Sequence, residues 1–312
     1  MISVIVPCYN EKEVLPLLHE RLTAAAAKWS EKYEVILVDD GSNVETWEEL
    51  KRIKAIDNRW KIIRFSRNFG HQAAVSAGLY HSTGDCVVII DADLQDPPEE
   101  IHRFIEKWKA GYDIVYGIRQ QRKENIFKRI AYKAFYRILG RLANIDIPLD
   151  SGDFCLMDRI VVDQLNQLPE HNRFIRGLRA WLGFRHTGVA YERAARAKGE
   201  PQYTLKKLIQ LSIDGVFSFS IVPLRMVTMF GLFVSVIAML GAIYTLLHRL
   251  FEDMLLEYGF SNIPQGFTTL AIAILFLGGV QLISLGVLGE YVGRIYDEVK
   301  RRPSWIIQEI LN

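Results

Sequence analysis

The sequence predicts an α/β protein: a mostly parallel sheet with helices on both faces, joined at its C-terminal end to interfacial and membrane-spanning helices. Three observations predict this. Short apolar runs alternate with helical patterns through the first 116 residues. Four of those runs end in clusters of polar and acidic residues. Two uncharged stretches, of 22 and 23 residues, lie in the last third of the chain.

The elements follow in order. Ile2–Val6 is an apolar strand closed by Pro7, and Asn10–Ala27 is expected to be a helix with Val14, Leu15, Leu18 and Leu22 on one face. Glu34–Val38 is a second strand, residues 44–57 a helix, Lys61–Phe65 a third strand and Gly70–Tyr80 a helix. Cys86–Ile90 is a fourth strand; Pro97 and Pro98 open a helix over Glu99–Lys109, and Asp113–Tyr116 is a fifth strand. Short continuous apolar strands alternating with helices are the pattern of a parallel sheet buried on both faces.

In such sheets ligands bind beyond the carboxyl ends of the strands. Four polar clusters sit there: Pro7-Cys8-Tyr9-Asn10-Glu11, Asp39-Asp40-Gly41-Ser42, Ser66-Arg67-Asn68-Phe69-Gly70, and Asp91-Ala92-Asp93-Leu94-Gln95-Asp96. Neither GxGxxG nor GxxxxGK[ST] occurs, so phosphates must be held by other means. Asp91 and Asp93, two residues apart just past a strand, can share a hard divalent cation, Mg²⁺ or Mn²⁺, which suits carboxylate and diphosphate oxygens.

Met226 to Leu247 and Phe267 to Gly289 carry no charge. A helix of either length reaches roughly 33 Å, enough for a hydrocarbon core of about 30 Å. The connecting segment His248 to Gly266 holds Arg249 against Glu252, Asp253 and Glu257, whereas Lys206, Lys207 and Arg225 precede the pair and Arg294, Lys300, Arg301 and Arg302 follow it. The positive-inside tendency places both ends of the chain in the cytoplasm. Tyr203–Ser220 has an apolar face opposite Lys206 and Lys207 and is expected to lie along the membrane surface. Tyr291–Val299 is a comparable short segment after the second span. The expected organisation is a catalytic domain over 1–200, an interfacial helix over 201–223, a transmembrane pair over 224–290 and a juxtamembrane tail over 291–312.

A formal net charge of +2 gives no concentrated basic field, and nucleic acid is not an expected partner. Cys8, Cys86 and Cys155 are far apart and form no zinc spacing; reduced, buried thiols are expected. Met1 runs straight into a strand without a basic, apolar leader, in keeping with a cytoplasmic catalytic region.

The motifs VPCYNE (6–11), VDDGS (38–42), SRNFGHQAA (66–74), DADLQDPPE (91–99), SGDFCLMDR (151–159) and LGEYVGRIYDEVKRRP (288–303) together resemble the GT-A family 2 glycosyltransferases. The likeness is to the branch that acts on polyprenyl phosphate, including dolichol-phosphate mannose synthases and bactoprenol glucosyltransferases. It implies a Rossmann-like GT-A domain and inverting transfer of one sugar from a nucleotide-sugar to polyprenyl phosphate at the inner membrane. Pro7, Tyr9, Asn10 and Glu11, with Asp39 and Asp40, would line the nucleotide pocket, one carboxylate of the Asp pair touching base or ribose. Asp91 and Asp93, helped by Gln95, would hold the metal, and Asp153 would lie near the acceptor. Arg119, Arg129, Arg196 and Lys198 are the candidates for phosphate contacts.

The tail resemblance selects UDP-glucose as donor; GDP-mannose or a UDP-aminopentose would need only small pocket changes, and the sequence leaves a homo-oligomer open. An acceptor phosphate with a second pKa near 6 is already largely anionic at neutral pH, so Asp153 is expected to orient it more than to remove a proton. A processive synthase would carry QxxRW after the metal site, whereas Arg59-Trp60 follows Ile56 and precedes the aspartate pair. A non-catalytic nucleotide-sugar sensor or flippase aid would have little use for that pair.

Overall fold

The computed structural model describes residues 1–120, 151–170, 173–192, 222–250 and 267–312. It divides into two compact units: residues 1–215 with 301–312, and residues 216–300.

The first unit is built on an eight-stranded sheet. In chain order its elements are β1 (Ile2–Cys8), α1 (Leu15–Ala26), β2 (Tyr33–Asp39), α2 (Val44–Ile56), β3 (Trp60–Phe65), α3 (His71–His81), β4 (Cys86–Ile89), α4 (Ile101–Lys109) and β5 (Ile114–Gln120). Then come β6 (Ser151–Asp158), α5 (Arg159–Gln167), α6 (Ile175–Trp181) and β7 (His186–Glu192). The second unit holds α7 (Val222–Leu250) and α8 (Phe267–Lys300), after which β8 (Ile307–Leu311) rejoins the first.

The strand order is β7-β5-β6-β4-β1-β2-β3-β8. The central pairs β4/β1, β1/β2 and β2/β3 are parallel, as is β5/β7. The sheet is therefore the α/β type expected, with two reversed strands, β6 between β4 and β5 and β8 on β3. All seven residues of β1 are buried, as a strand covered on both faces requires. Each large aliphatic side chain so buried contributes about 1.5–3 kcal/mol.

Two details depart from the sequence reading. The first helix begins at Leu15, not Asn10, because Asn10 turns the chain out of β1 in the left-handed region (φ 57°) and Pro16 stands in the first helical turn. The end of the chain, read as a juxtamembrane tail, supplies the edge strand β8 through Ile307–Leu311. The three cysteines are free and buried, as expected.

In the second unit, Leu224–Gly241 and Phe276–Lys300 have mean hydropathies of 1.9 and 1.3, and neither window is buried inside the protein. Large apolar side chains such as Met226, Leu232, Leu282 and Ile283 are 60–71 % exposed. Helices this apolar and this uncovered do not have the burial of a soluble core. Tyr291–Val299 continues α8 without a break. The expected interfacial helix over Tyr203–Ser220 and the connector over 251–266 lie outside the described residues.

Candidate active site

The carboxyl ends of β1, β2, β3 and β4 open onto one cleft of about 520 Å³. It is lined by Pro7, Cys8, Tyr9, Glu11, Asp40, Asn68, Gly70, His71, Ala74, Asp91, Ala92, Asp93 and Asp153. All four polar clusters reach it, and β6 adds Asp153.

The first two turns are latched together. The Asn10 amide donates to Ser42 Oγ (3.0 Å), and Asn10 Oδ1 accepts from the Asn43 amide (2.9 Å). Asn43 in turn caps α2 by accepting from the Thr46 amide (2.9 Å). Gly41 (φ 71°) fits closely against the next loop: a Cβ there would stand 2.4 Å from the Arg67 carbonyl carbon, so both the angle and the space require glycine.

Asp39 is fully buried beneath the cleft. Its Oδ1 accepts from the Ser42 amide (3.0 Å), and Oδ2 lies 3.5 Å from Arg64 Nε. Asp40 reaches the cleft, yet its carboxylate is engaged by the Phe69 amide (2.6 Å) and the Gly70 amide (2.9 Å). Burial raises both carboxyl pKa values; hydrogen bonds from Ser42, and from Phe69 and Gly70, act in the other direction.

The β4 loop turns through Leu94 at φ 57°. Asp93, 8 % exposed, accepts from the Gln95 amide (3.1 Å), and buried Asp96 accepts from the Tyr191 hydroxyl. Arg21 binds Glu99 through two contacts of 2.9 and 2.7 Å, fixing the far side of the loop to α1.

Asp91 and Asp93 both line the cleft. Among the described residues no third His, Cys, Asp or Glu joins them to complete a protein cage. That donor set fits a hard cation which keeps its other positions for water and diphosphate oxygens. Among the described residues, five carboxylates line the cleft (Glu11, Asp40, Asp91, Asp93, Asp153), with His71 as the one basic lining side chain. A nucleoside diphosphate entering here needs positive charge beside it.

Sequence reasoning passed over His71 and Arg176. His71 Nε2 is 3.0 Å from Asp91 Oδ1. Desolvation opposes its protonation, but the hydrogen bond and charge of Asp91, with Asp153 behind, raise its pKa to about 9. Asp153 Oδ2 pairs with Arg176 (3.2 Å). Burial disfavours its charge, but Arg176, His71 and Arg179 outweigh it and hold the carboxyl at about 2. Gln72 Oε1 accepts from the Ile175 amide (3.0 Å), tying the start of α6 to the start of α3. The motif SRNFGHQAA did contain His71, but no metal or catalytic spacing singled it out.

Of the residues named from sequence, Pro7, Tyr9, Glu11, Asp40, Asp91, Asp93 and Asp153 line the cleft. Asn10 and Asp39 instead build its walls from behind, and the Gln95 side chain is not among the lining groups. Arg119 stands in β5, its backbone opposite Tyr191. Arg129, Arg196 and Lys198 lie outside the described residues.

Comparison with known proteins identifies the family. Residues 3–165 match the model of glycosyl transferase family 2. The glycosyltransferase YkcC of Bacillus subtilis (strain 168) is 45 % identical over 308 residues, covering 98 % of this chain and 93 % of its own. The SfII prophage-derived bactoprenol glucosyl transferase of Shigella flexneri is 40 % identical over 309 residues, covering 99 % and 97 %. The prophage bactoprenol glucosyl transferase homolog of Escherichia coli (strain K12) is 38 % identical over 310 residues, covering 99 % of each chain. Among solved structures, glucosyl-3-phosphoglycerate synthase from Mycobacterium tuberculosis, in complex with Mn²⁺, UDP and glucosyl-3-phosphoglycerate, has 17 % identity and a TM-score of 0.49, covering 70 % of this chain and 77 % of its own. With a family match over more than half its length and relatives aligned almost end to end, this chain belongs to glycosyl transferase family 2.

Proposed function

We propose that this enzyme transfers one glucose from UDP-glucose, with inversion, to polyprenyl (undecaprenyl) phosphate at the cytoplasmic face of the plasma membrane. The observation that carries the proposal is the acid-lined cleft with Asp91 and Asp93 side by side at the end of β4. Relatives named bactoprenol glucosyl transferase, aligned over nearly their whole length, favour the choice of sugar and lipid.

Asp91 and Asp93 would hold a Mg²⁺ or Mn²⁺ ion, which when bound offsets the charge developing on the leaving diphosphate. Pro7, Tyr9 and Glu11 form the cleft wall on which the nucleoside would lie, Tyr9 being 43 % exposed and open to a base. Gln95, whose backbone amide donates to Asp93, would help to hold that ion. The acceptor arrives as an anion, so the chain must hold it more than deprotonate it. Arg119, Arg129, Arg196 and Lys198 are proposed for that phosphate, in keeping with the fit of guanidinium groups to phosphate oxygens.

Two long apolar helices with no cover inside the protein support a membrane setting, where a polyprenyl chain resides. The excess of Lys and Arg outside the helix pair supports cytoplasmic ends.

The test is turnover by the purified full chain in lipid nanodiscs, using undecaprenyl phosphate and a panel of radiolabelled UDP-glucose, GDP-mannose and UDP-aminopentose. A single-sugar lipid from UDP-glucose, abolished by EDTA and restored by Mg²⁺ or Mn²⁺, is the expected product. Polymer, or no lipid product with any donor, contradicts the proposal.

A further inference from the structure

The end of the chain returns to the first unit at a particular place. β8 pairs antiparallel with β3, Ile62 opposite Leu311 and Phe65 opposite Ile307, with a register shift between Arg64 and Phe65. The pairing continues past the end of β3, where the Ser66 amide donates to the Ile306 carbonyl (3.0 Å). Ser66 opens the segment that carries Asn68, Gly70 and His71 into the cleft. Trp305 and Ile307 pack on a small core cluster of Ile36, Val38, Ile63, Phe65, Ala74 and Ala77, and Phe69 of the same segment packs there too. Phe69 also meets Phe65 edge-on, with ring centroids 5.7 Å apart. Trp305 faces Tyr80 of α3 at 6.4 Å between rings.

The segment Ser66–Gly70 thus has two anchors. From the cleft side, the Asp40 carboxylate accepts from the Phe69 and Gly70 amides. From the sheet edge, the last residues of the chain hold Ser66 and share the cluster under Phe69.

We propose that Trp305–Ile307 is a positioning element of the cleft, setting the conformation of Ser66–His71 so that the nucleoside-diphosphate site is complete only with the chain end docked. The proposal takes from the function proposed above only that the cleft binds a nucleoside diphosphate. It assigns an activity-supporting role to residues about 240 positions downstream of the segment they hold.

The experiment uses the full chain in nanodiscs and compares it with Trp305→Ala, Trp305→Phe, a chain ending at Pro303, and Gln308→Ala as an exposed control on the same strand. Hydrogen exchange at residues 66–71 is measured without ligand, and UDP binding is measured by calorimetry in Mn²⁺. Trp305→Ala is expected to speed exchange of the Phe69 and Gly70 amides at least tenfold and to weaken UDP binding about tenfold. It should raise the KM for the donor while leaving that for the lipid acceptor unchanged. Trp305→Phe should recover most of each effect, and Gln308→Ala should match the parent.

Unchanged exchange at 66–71 in Trp305→Ala, or UDP affinity within twofold of the parent, overturns the proposal. If the shortened chain does not fold, the two Trp305 variants decide. If the parent itself binds no UDP, the functional proposal fails, while the exchange comparison still judges this one.

Discussion

Asp153→Asn separates two roles that an acidic residue near an acceptor can have. Asp153 lies 3.2 Å from Arg176 with His71 and Arg179 nearby, and these cations overcome the cost of burial to hold its pKa at about 2. A phosphate monoester has a second pKa of about 6. Moving a proton from that phosphate to Asp153 is therefore uphill by roughly four units, or about 5 kcal/mol at 1.36 kcal/mol per unit. A carboxylate so weakly basic is unsuited to general-base work, whose best pKa lies near the working pH. Its depressed pKa also keeps it ionised from neutral pH down to about 2, so it puts no limb on the rate profile above pH 4.

The loss on Asp153→Asn should come instead from releasing Arg176. For a partly exposed pair this is about 1–2 kcal/mol, or roughly 5- to 30-fold in rate. Asp91→Asn removes half of the paired carboxylates and should cost about 10³-fold or more, as expected when a charge-stabilising group is lost. The assay is glucosyl transfer to undecaprenyl phosphate at saturating donor, over pH 5–9. Equal losses of several orders of magnitude in the two variants, or an acid limb that vanishes only in Asp153→Asn, would refute the orienting role.

Three further outcomes follow from the same geometry. His71→Ala removes the 3.0 Å contact on Asp91 and should weaken Mn²⁺-dependent UDP binding about 10- to 100-fold, as removal of an outer partner of a metal-holding carboxylate does; unchanged Mn²⁺ titration curves would count against it. Gly41→Ala forces a side chain to φ 71° against the Arg67 backbone and should lower the thermal midpoint of the catalytic unit by about 5 °C or more, measured by differential scanning fluorimetry. Asp57, held at about 2 chiefly by its hydrogen bond from Arg59, is a case of a depressed carboxylate. Its contribution is present above the unfolded value of about 3.9 and fades as pH falls toward 2, so the urea midpoint gap between parent and Asp57→Asn should shrink between pH 6 and pH 3.

The central sheet was legible because β1, β2 and β4 are buried on both faces and so read as continuous apolar runs. The rim was legible because each such run stops at a cluster of short polar side chains. β6 was not assigned as a strand, although Phe154–Met157 is fully apolar, because its partners β4 and β5 are set by pairing that no local pattern announces. β8 escaped for the same reason: Ile307–Leu311 is five residues long, half-exposed and contains Gln308 and Glu309, so its period is weak and only β3 defines it. At the site, the aspartate pair was legible from spacing alone. His71 and Arg176 were not, because each acquires its chemistry from a carboxylate 20 or more residues away, Asp91 and Asp153 respectively.

The cleft's acids differ in what they already do, and this distinguishes their roles. Asp39 is committed to the Ser42 amide and Arg64, Asp40 to the amides of Phe69 and Gly70, and Asp153 to Arg176. Each of these carboxylates organises a turn or a cation that the fold brings to it. Asp91 and Asp93 have lighter ties, a 3.0 Å contact to a rotatable His71 ring and a 3.1 Å bond from the Gln95 amide, at the open end of a strand. Even with His71 beside Asp91, two carboxylates in a cleft with three further acids repel a diphosphate unless a divalent ion accompanies it. Donor binding should therefore depend steeply on the metal even though no step of proton transfer does. Titrating UDP into the protein with and without Mn²⁺ checks this, and equal affinity in EDTA would remove the electrostatic basis of the proposed site.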